Sequence, residues 1–316
     1  MKKTALALAA ALATAFAATP AMSAAPMAKT PAPGYFRMML GDFEITPVSD
    51  GTVDLPMNKL LNDKQAKIDA LLAANHLGGT VETSDNVFVI NTGAKLVMVD
   101  TGAGALFGPT LGKLLANLKA AGYKPEQVDE IYLTHMHGDH VGGLLSDGKV
   151  AFPNAIVRAS KADADFWLSQ ANMDKAPADN KGSFKGAMAS LKPYIEAGKF
   201  KPFTSDTELA PGISSVATHG HTPGHTSYML ESKGKKMMLI GDLIHVAAVQ
   251  MENPTVTIDF DSDKKAAAAA RKKAFDAAAK GGYLIGGAHL SFPGVGYLAT
   301  SGKGYRWMPV NYTQMR

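Results

Sequence analysis

Apolar residues in the first half of the chain follow an alternating or continuous pattern that predicts strands. Residues 36–40 and 43–48 form one pair of such stretches, and residues 87–91 and 95–100 form another, each pair interrupted by a glycine-containing turn. Short apolar stretches on both sides of a turn are typical of antiparallel hairpins. The second half repeats the pattern, with strands predicted at 213–217, 227–231 and 236–240.

Helical spacing appears between and after these strands. Leucines at 111, 114, 115 and 118 recur at the period of a helix within residues 108–122, and further helices are predicted at 161–170, 184–197 and 262–280. The last helix has Ser262 or Asp263 as its N-terminal cap and ends at Gly281-Gly282. We expect its basic residues to form a solvated face: Lys264, Lys265, Arg271, Lys272 and Lys273.

The N-terminus carries the three regions of a secretory signal peptide. Lys2 and Lys3 precede an apolar run from Ala5 to Ala18, and small residues follow. This run is too short to predict a lasting membrane anchor. We therefore expect a signal peptide over residues 1–24 with cleavage between Ala21 and Ala25, a flexible arm over 25–35, one domain over 36–316, and a periplasmic or secreted protein.

Composition narrows the possible functions. The chain has no cysteine, so neither a disulfide nor a thiolate ligand is available. Its 32 basic and 28 acidic residues give a net charge of +4, and the mature chain loses Lys2 and Lys3, which leaves +2. Such a balance does not predict a nucleic-acid partner.

The most informative segment is Thr134-His-Met-His-Gly-Asp-His-Val-Gly-Gly143. It places four potential metal ligands, His135, His137, Asp139 and His140, directly after the apolar residues 131–133. Alternation in extended backbone points His135 and His137 the same way, while Asp139 and His140 fall where the chain turns and can face a second ion. Imidazole and carboxylate ligands suit zinc and neighbouring transition metals.

Further candidate ligands follow three later apolar segments. A turn with His219, His221 and His225 follows residues 213–217, Asp242 follows 237–240, and His289 follows 283–285. Strand ends are where an α/β architecture exposes catalytic groups. One histidine of the turn would complete a set of five histidines and two aspartates, enough for two ions that share a carboxylate.

These motifs resemble those of the metallo-β-lactamase superfamily. The order is His-x-His-x-Asp-His, then Gly-His-Thr-Pro-Gly-His, then Gly-Asp and a late His, with Asp100-Thr-Gly upstream. Stretches at 40–46, 107–112 and 290–294 also resemble the subfamily of methyl parathion hydrolase and related lactonases, including dihydrocoumarin hydrolases. Gly138 departs from that pattern, which has proline there. The resemblance implies an α/β four-layer αββα sandwich and a homodimer.

The resemblance also implies which residues bind metal. One ion would take His135, His137 and His221, the other Asp139, His140 and His289, with Asp242 bridging both. His225 is the main rival of His221, and otherwise lies behind the ligands, as does His219. Asp100 would orient a ligand imidazole, or merely form a turn before Thr-Gly. Zinc is the expected metal, although manganese, iron or cobalt also fit such ligands.

Two divalent ions generate a hydroxide nucleophile at neutral pH, so the expected substrate is a small uncharged lactone, aryl ester or phosphotriester. Asp242, as the bridge, and Asp139, as a proton relay, are the candidate catalytic carboxylates. The resemblance implies an aromatic pocket wall of Phe107, Trp167 and Phe184; ordinary core aromatics are the alternative.

His245 and Phe260 depart from the parathion hydrolase pattern, in which we expect smaller aliphatic residues. Their bulk should crowd a tetrahedral phosphotriester more than a planar lactone. Lactonase or arylesterase activity is therefore the first hypothesis, with a phosphotriesterase as the alternative. Replacing both residues by leucine should raise phosphotriester turnover relative to lactone turnover.

Other classes of protein fit less well. A metallo-β-lactamase proper would not use Asp242 as a bridge, and a glyoxalase II-type thioesterase would need a basic site for glutathione. Export and near-neutral charge disfavour an RNA-processing enzyme. A metal-sequestering module without turnover is the alternative outside enzymes.

Overall fold

The computed structural model describes residues 25–204 and 206–312, so the predicted signal peptide at 1–24 lies outside the described residues. Residues 25–32 carry no regular structure. The predicted arm does not extend to residue 35, because Tyr35 forms a β-bridge with Val48. Over the part of the chain that is described, no helix has the length and apolar character needed to cross a membrane.

The described residues contain strands in both halves of the chain. In the first half these are β1 (Met38–Leu40), β2 (Phe43–Leu55), β3 (Leu61–Asn62), β4 (Val81–Asn91), β5 (Leu96–Val99), β6 (Glu130–Tyr132), β7 (Leu145–Ser146), β8 (Lys149–Val150) and β9 (Ile156–Arg158). In the second half they are β10 (Glu208–Ala210), β11 (Ile213–Ala217), β12 (Thr226–Ser232), β13 (Lys235–Leu239), β14 (Thr257–Ile258), β15 (Leu284–Gly286), β16 (Val295–Ser301) and β17 (Gly304–Pro309).

The helices lie between these strands along the chain. They are α1 (Met57–Leu60), α2 (Gln65–Ala74), α3 (Leu114–Ala120), α4 (Gly138–Val141), α5 (Lys161–Trp167), α6 (Gln170–Lys175), α7 (Lys181–Glu196), α8 (Ala247–Gln250) and α9 (Lys264–Gly281). Short 3-10 turns span Pro125–Gln127, Gly142–Leu144, Ala178–Asn180 and Gly241–Leu243.

Most strands belong to two sheets, one from each half of the chain. The first sheet has the order β1-β2-β4-β5-β6-β9, and the second has the order β10-β11-β12-β13-β15-β16-β17. Parallel pairing occurs between β5, β6 and β9 in the first sheet and between β13 and β15 in the second. The carboxyl ends of β5 and β6, and those of β13 and β15, therefore each lie together at one edge of their sheet.

Alternation along the strands builds a four-layer αββα sandwich. On β4, Phe88 and Ile90 join the core between the two sheets, whereas Val87 and Val89 face the helices α3, α5 and α7. On β13, Met237 and Leu239 face the first sheet, and Met238 packs with Phe275 of α9 on the outer side. Successive residues of a strand point to opposite faces, so each strand contributes to two cores. The predicted fold class is confirmed.

The hairpins predicted at 36–48 and 87–100 are present as the pairs β1–β2 and β4–β5. The helix predicted from residue 108 begins only at Leu114, because the buried carboxylate of Asp50 accepts hydrogen bonds from the backbone N–H groups of Ala103, Gly112 and Leu114. These bonds hold residues 103–112 as a loop. This loop carries Phe107 over the first metal motif.

The helix α9 differs from the sequence-based expectation in the burial of one basic residue. Its cap is Asp263, whose side chain accepts a hydrogen bond from the N–H of Ala266, and Gly282 ends it with a φ of 61°. Four of its basic residues are exposed as predicted, but Arg271 is 0% exposed. Its guanidinium donates to the carbonyls of Leu243, Pro254 and Val256, so this cation fastens the segment after Asp242 instead of facing solvent.

Candidate metal centre

The predicted ligands come together where strands from both sheets end. His135 and His137 follow β6, and the short helix α4 turns the chain so that Asp139 and His140 face the same space. His221 lies in the connection from β11 to β12, Asp242 follows β13, and His289 follows β15. Residues far apart in the sequence thus meet because parallel strands expose their carboxyl ends at a common edge.

The first group of candidate ligands is His135, His137, His221 and Asp242, whose ligand atoms all lie within 4.8 Å of one another. Nδ1 of His137 lies 3.0 Å from Nε2 of His135 and 3.1 Å from Nε2 of His221. Tetrahedral zinc with bonds of about 2.0–2.1 Å separates its ligand nitrogens by roughly 3.3 Å. The spacing therefore fits one ion.

The second group is Asp139, His140 and His289, which also lie within 4.8 Å of one another. The Asp242 carboxylate connects the two groups, because its Oδ1 lies 3.2 Å from Nε2 of His140 and its Oδ2 lies 3.3 Å from Nε2 of His221. His140 Nε2 and Asp242 Oδ1 are buried atoms without a hydrogen-bond partner among the described residues. Buried polar atoms of this kind need a partner, and a cation between them provides it.

Hydrogen bonds behind the ligands fix the direction of three of the five imidazoles. Nδ1 of His140 donates to Oδ2 of Asp100 over 2.9 Å, that of His221 to Asp261 over 2.9 Å, and that of His289 to the Ser84 carbonyl over 2.9 Å. In the neutral form of each of these imidazoles, Nε2 then carries the lone pair that a metal needs. Asp100 adopts a left-handed backbone conformation with φ of 62°, which is uncommon for non-glycine residues and which aspartate tolerates better than most.

The choice between His221 and His225 follows from this network. Nε2 of His225 accepts the backbone N–H of Asp242 over 3.0 Å, so its lone pair is not available to a metal. Its Nδ1 is bonded to Thr218, 2.9 Å away. His225 therefore holds the backbone of the bridging aspartate, and His219 is exposed.

Burial and charge shift the pKa values of individual candidate ligands in different directions. Burial, assisted by His221, lowers the pKa of His137 to about 3. Burial also tends to lower the pKa of His289, but the carboxylate of Asp242 outweighs it and raises that pKa to about 9. Asp242, Asp100 and Asp139 likewise raise the pKa of His140 well above its usual range, against the effect of its burial. A cation at the second group must therefore displace protons.

Two buried aspartates that sequence analysis did not identify support the site. Asp163 of α5 accepts the N–H of Met136 over 3.0 Å and that of Gly224 over 2.7 Å, and so joins the two histidine motifs. Burial raises its pKa to about 6. Asp261 orients His221 and lies one residue after Phe260. The only sequence signal was an acidic residue next to a segment already singled out.

A cavity of about 460 Å³ opens beside the candidate ligands. Phe107, Trp167, His245 and Phe260 line it together with Asp139, Asp242 and His289. Phe184 does not line it: this residue is 3% exposed and packs behind Trp167, with ring centroids 4.6 Å apart. Of the predicted aromatic wall, Phe107 and Trp167 therefore line the cavity, and Phe184 packs against Trp167 from the core.

Gly138 allows Phe107 to occupy its position. A Cβ atom at residue 138 would lie 2.8 Å from Cε2 of Phe107 and 3.2 Å from Cδ1 of Leu106. A contact of 2.8 Å essentially never occurs with a real Cβ atom, so the Phe107 ring would have to move, whereas Leu106 would have to shift by only a few tenths of an ångström. The departure from proline at this position is therefore coupled to the wall of the cavity.

Fold and site together define a metal-dependent hydrolase with an αββα sandwich. The sequence matches the metallo-beta-lactamase superfamily over residues 81–281, and the chain belongs to that superfamily. Among solved structures, the hydrolase AbOPH of the beta lactamase superfamily is 38% identical with a TM-score of 0.85, and covers 90% of this chain and 100% of its own. The dizinc quorum-quenching lactonase AidC is 27% identical with a TM-score of 0.83, over 89% of this chain and 99% of its own.

Curated relatives match over a shorter stretch. An N-acyl homoserine lactonase of Bacillus cereus is 26% identical over 151 residues, which is 48% of this chain and 52% of that protein. A probable metallo-hydrolase of Mycobacterium tuberculosis is 23% identical over 176 residues, 52% of this chain and 55% of that protein. The chain thus spans about half the length of the curated relatives it matches.

Proposed function

We propose that this protein hydrolyses lactones at a centre of two divalent metal ions, with zinc as the resident metal. The observation that carries the proposal is the pair of ligand groups that the Asp242 carboxylate connects at the floor of the cavity. The relatives described above support a lactone as the substrate, since AidC and the Bacillus cereus protein are both named as lactonases.

The ions, when bound, lower the pKa of water towards about 7 and act as Lewis acids. The chain supplies the rest of the site. Asp242 would contribute to both metal positions, and the hydrogen bonds that Asp100, Asp261 and the Ser84 carbonyl accept keep the imidazoles of His140, His221 and His289 aimed at them. Asp139, whose side chain is 24% exposed, reaches the cavity and can accept a proton there.

The cavity favours a small uncharged substrate with an apolar substituent. Its volume falls in the range of small-molecule sites, and Val53, Leu55 and Leu111 extend the apolar surface formed by Phe107 and Trp167. Asn180 and Ser183 lie on the same wall and offer hydrogen bonds to a polar group of the substrate. An acyl or aryl lactone has this combination of parts.

His245 and Phe260 narrow the side of the cavity next to Asp242. Their ring centroids are 5.9 Å apart, and His245 is 3% exposed. A planar lactone needs less room beside the metals than a tetrahedral phosphorus with three substituents. We therefore propose that phosphotriesters, the substrates of a methyl parathion hydrolase-type activity, are turned over less efficiently than lactones.

The test is to measure kcat/KM of the zinc-loaded protein on dihydrocoumarin, on an N-acyl homoserine lactone and on an aryl phosphotriester. We expect turnover of at least one lactone to exceed that of the phosphotriester, and chelation to abolish it. Higher turnover of the phosphotriester would overturn the substrate assignment. Full metal content with no turnover of any ester would overturn the proposed enzymatic activity and would indicate a protein that only binds metal.

A further inference from the structure

His245 lies against the metal centre but belongs to neither of the two groups that the sequence motifs define. Its Nε2 is 3.2 Å from Oδ2 of Asp242, and the side chain is 2% exposed. Neither ring nitrogen has a hydrogen-bond partner among the described residues. A buried imidazole without a partner is costly, so its placement calls for an explanation.

The position of the ring is that of a ligand. Asp242 Oδ2 lies 3.1 Å from Nε2 of His289 and 3.3 Å from Nε2 of His221, so His245 approaches this oxygen as closely as two motif histidines do. The ring centroids of His245 and His289 are 5.1 Å apart. The ring centroids of neighbouring motif histidines are between 4.0 Å apart, for His135 and His140, and 5.6 Å apart, for His140 and His289.

The ligand atoms meet the same criterion as the motif groups. Asp242, His245 and His289 each offer one atom, and these atoms all lie within 4.8 Å of one another. His245 thus forms a third group that overlaps the second metal position through His289 and the first through Asp242.

The backbone around His245 is held in place. The buried amide of Gln250 accepts the N–H groups of His245 over 2.8 Å and of Val246 over 3.1 Å. That amide donates to the Val256 carbonyl, which also accepts a hydrogen bond from the buried Arg271. A side chain mounted on such a network is preorganised, as metal ligands are.

We propose that His245 is an additional nitrogen ligand of the second metal position, beside His289 and Asp242. The proposal rests on the two-metal centre of the proposed function and adds a residue that no metal motif of this chain contains. With His245, the second position has three imidazoles. Such a nitrogen-rich set suits zinc, cobalt or iron(II) better than magnesium or calcium.

The experiment compares cobalt(II)-substituted proteins, because the visible bands of cobalt report its coordination. Wild type, His245→Gln and His219→Gln are stripped with a chelator and titrated with cobalt, and metal content and visible spectrum are recorded at each addition. His219→Gln is the matched control, since it removes an exposed histidine. Phe260→Leu is a second control, which enlarges the same side of the cavity without removing a ligand atom.

We expect His245→Gln to change the intensity of the cobalt bands at the second equivalent and to weaken binding of that equivalent about 10- to 100-fold, with neither effect in the controls. An unchanged spectrum and affinity in His245→Gln would overturn the proposal, even if lactone turnover fell.

X-ray absorption of the wild-type zinc protein is a second test, and it does not depend on whether any variant folds. Six histidines on two ions average about three imidazoles per zinc, whereas five average about 2.5, and the lower value would also overturn the proposal.

Failure of this inference and failure of the proposed function are distinguishable. If the protein binds two cobalt ions with His245 in the coordination sphere but hydrolyses no lactone, only the proposed activity is contradicted. If it hydrolyses lactones and His245→Gln leaves the cobalt spectrum unchanged, only the role of His245 as a ligand is contradicted.

Discussion

The floor and the rim of the cavity are built in opposite ways. The metal floor, defined as the seven motif ligands, consists of buried or half-buried side chains on segments that follow strands. The cavity rim, defined as Phe107 and Phe260, consists of aromatic rings that are 49% and 39% exposed and lie on loops. The floor is fixed by hydrogen bonds behind its imidazoles, whereas the rim is fixed by packing.

This difference separates the reaction from the choice of substrate. Candidate ligands on a rigid scaffold would hold metal for hydrolysis whatever the substrate is. Loop residues can change without disturbing that scaffold, which is how one fold serves many substrates. Changes to the floor should therefore abolish metal binding and turnover together, and changes to the rim should alter substrate preference alone.

The largest effect is expected at the residue shared by both ions. Replacing Asp242→Asn removes the bridging charge while keeping the shape of the side chain. We expect metal content to fall below two ions and kcat/KM on a lactone to fall by more than about 100-fold, since even the loss of an outer hydrogen-bond partner costs 10- to 100-fold. Metal analysis and steady-state kinetics measure both quantities, and a fully loaded, active variant would contradict the bridge.

The pH dependence of metal binding tests the electrostatics of the floor. Because carboxylates raise the pKa of His289 to about 9, this imidazole is protonated at neutral pH before a metal binds. Metal affinity should therefore fall as pH falls below 9, by about 10-fold per pH unit for each proton displaced. Titration calorimetry of chelator-treated protein in buffers of different ionisation enthalpy counts the released protons; zero release at pH 7 would contradict the prediction.

The raised pKa of His289 affects the stability of the chelator-treated protein in the opposite direction: metal affinity increases with pH, whereas this contribution to stability decreases. The pKa of His289 is raised from its ordinary value of 6.5 to about 9, so its stabilising contribution is fully present below pH 6.5 and is lost as pH rises through 9. Metal loading and metal-free stability should therefore change in opposite directions between these two pH values. Thermal unfolding with and without zinc across this range checks the sign.

A smaller effect is expected one step behind the ligands. Asp261→Asn keeps the shape of the side chain that orients His221 but removes its charge. We expect metal affinity to weaken about 10-fold. Asp259→Asn is the matched control, because Asp259 lines the same cavity yet, among the described residues, its side chain accepts hydrogen bonds only from Asn62 and Lys264. Equal affinities of the two variants would contradict a role for Asp261 in holding His221.

The smallest effect is expected at the contact between floor and rim. Gly138→Ala places a Cβ 2.8 Å from the ring of Phe107, so the ring must move. We expect a several-fold change in KM for lactones with two ions still bound, and non-additivity with Phe107→Ala in a double-mutant cycle. Gly182→Ala is the control, since a Cβ there meets nothing within 4 Å. Loss of metal in Gly138→Ala would mean that this glycine serves the floor instead.

The candidate ligands of the floor are easier to recognise in the sequence than the residues of the rim, for a local reason. The ligands stand in short motifs directly after apolar strands, and both features are visible in the printed sequence. Phe184 and Arg271 were assigned incorrectly, the first to the cavity wall and the second to a solvated face. In both cases the error concerns which side of a helix packs against the rest of the protein. That depends on neighbours distant in the sequence.

The sequence by itself determined the strand and helix pattern, the superfamily, and the residue types around two metal positions, because these depend on spacing along one chain. Only the tertiary structure decided which histidine of the second motif is free to bind metal, since the lone pair of His225 is occupied by the N–H of Asp242, 17 residues away. It also placed Asp163 and Asp261 against the histidine motifs of distant segments, and His245 beside His289. Hydrogen bonds and packing across the fold select among candidates that local chemistry leaves equivalent.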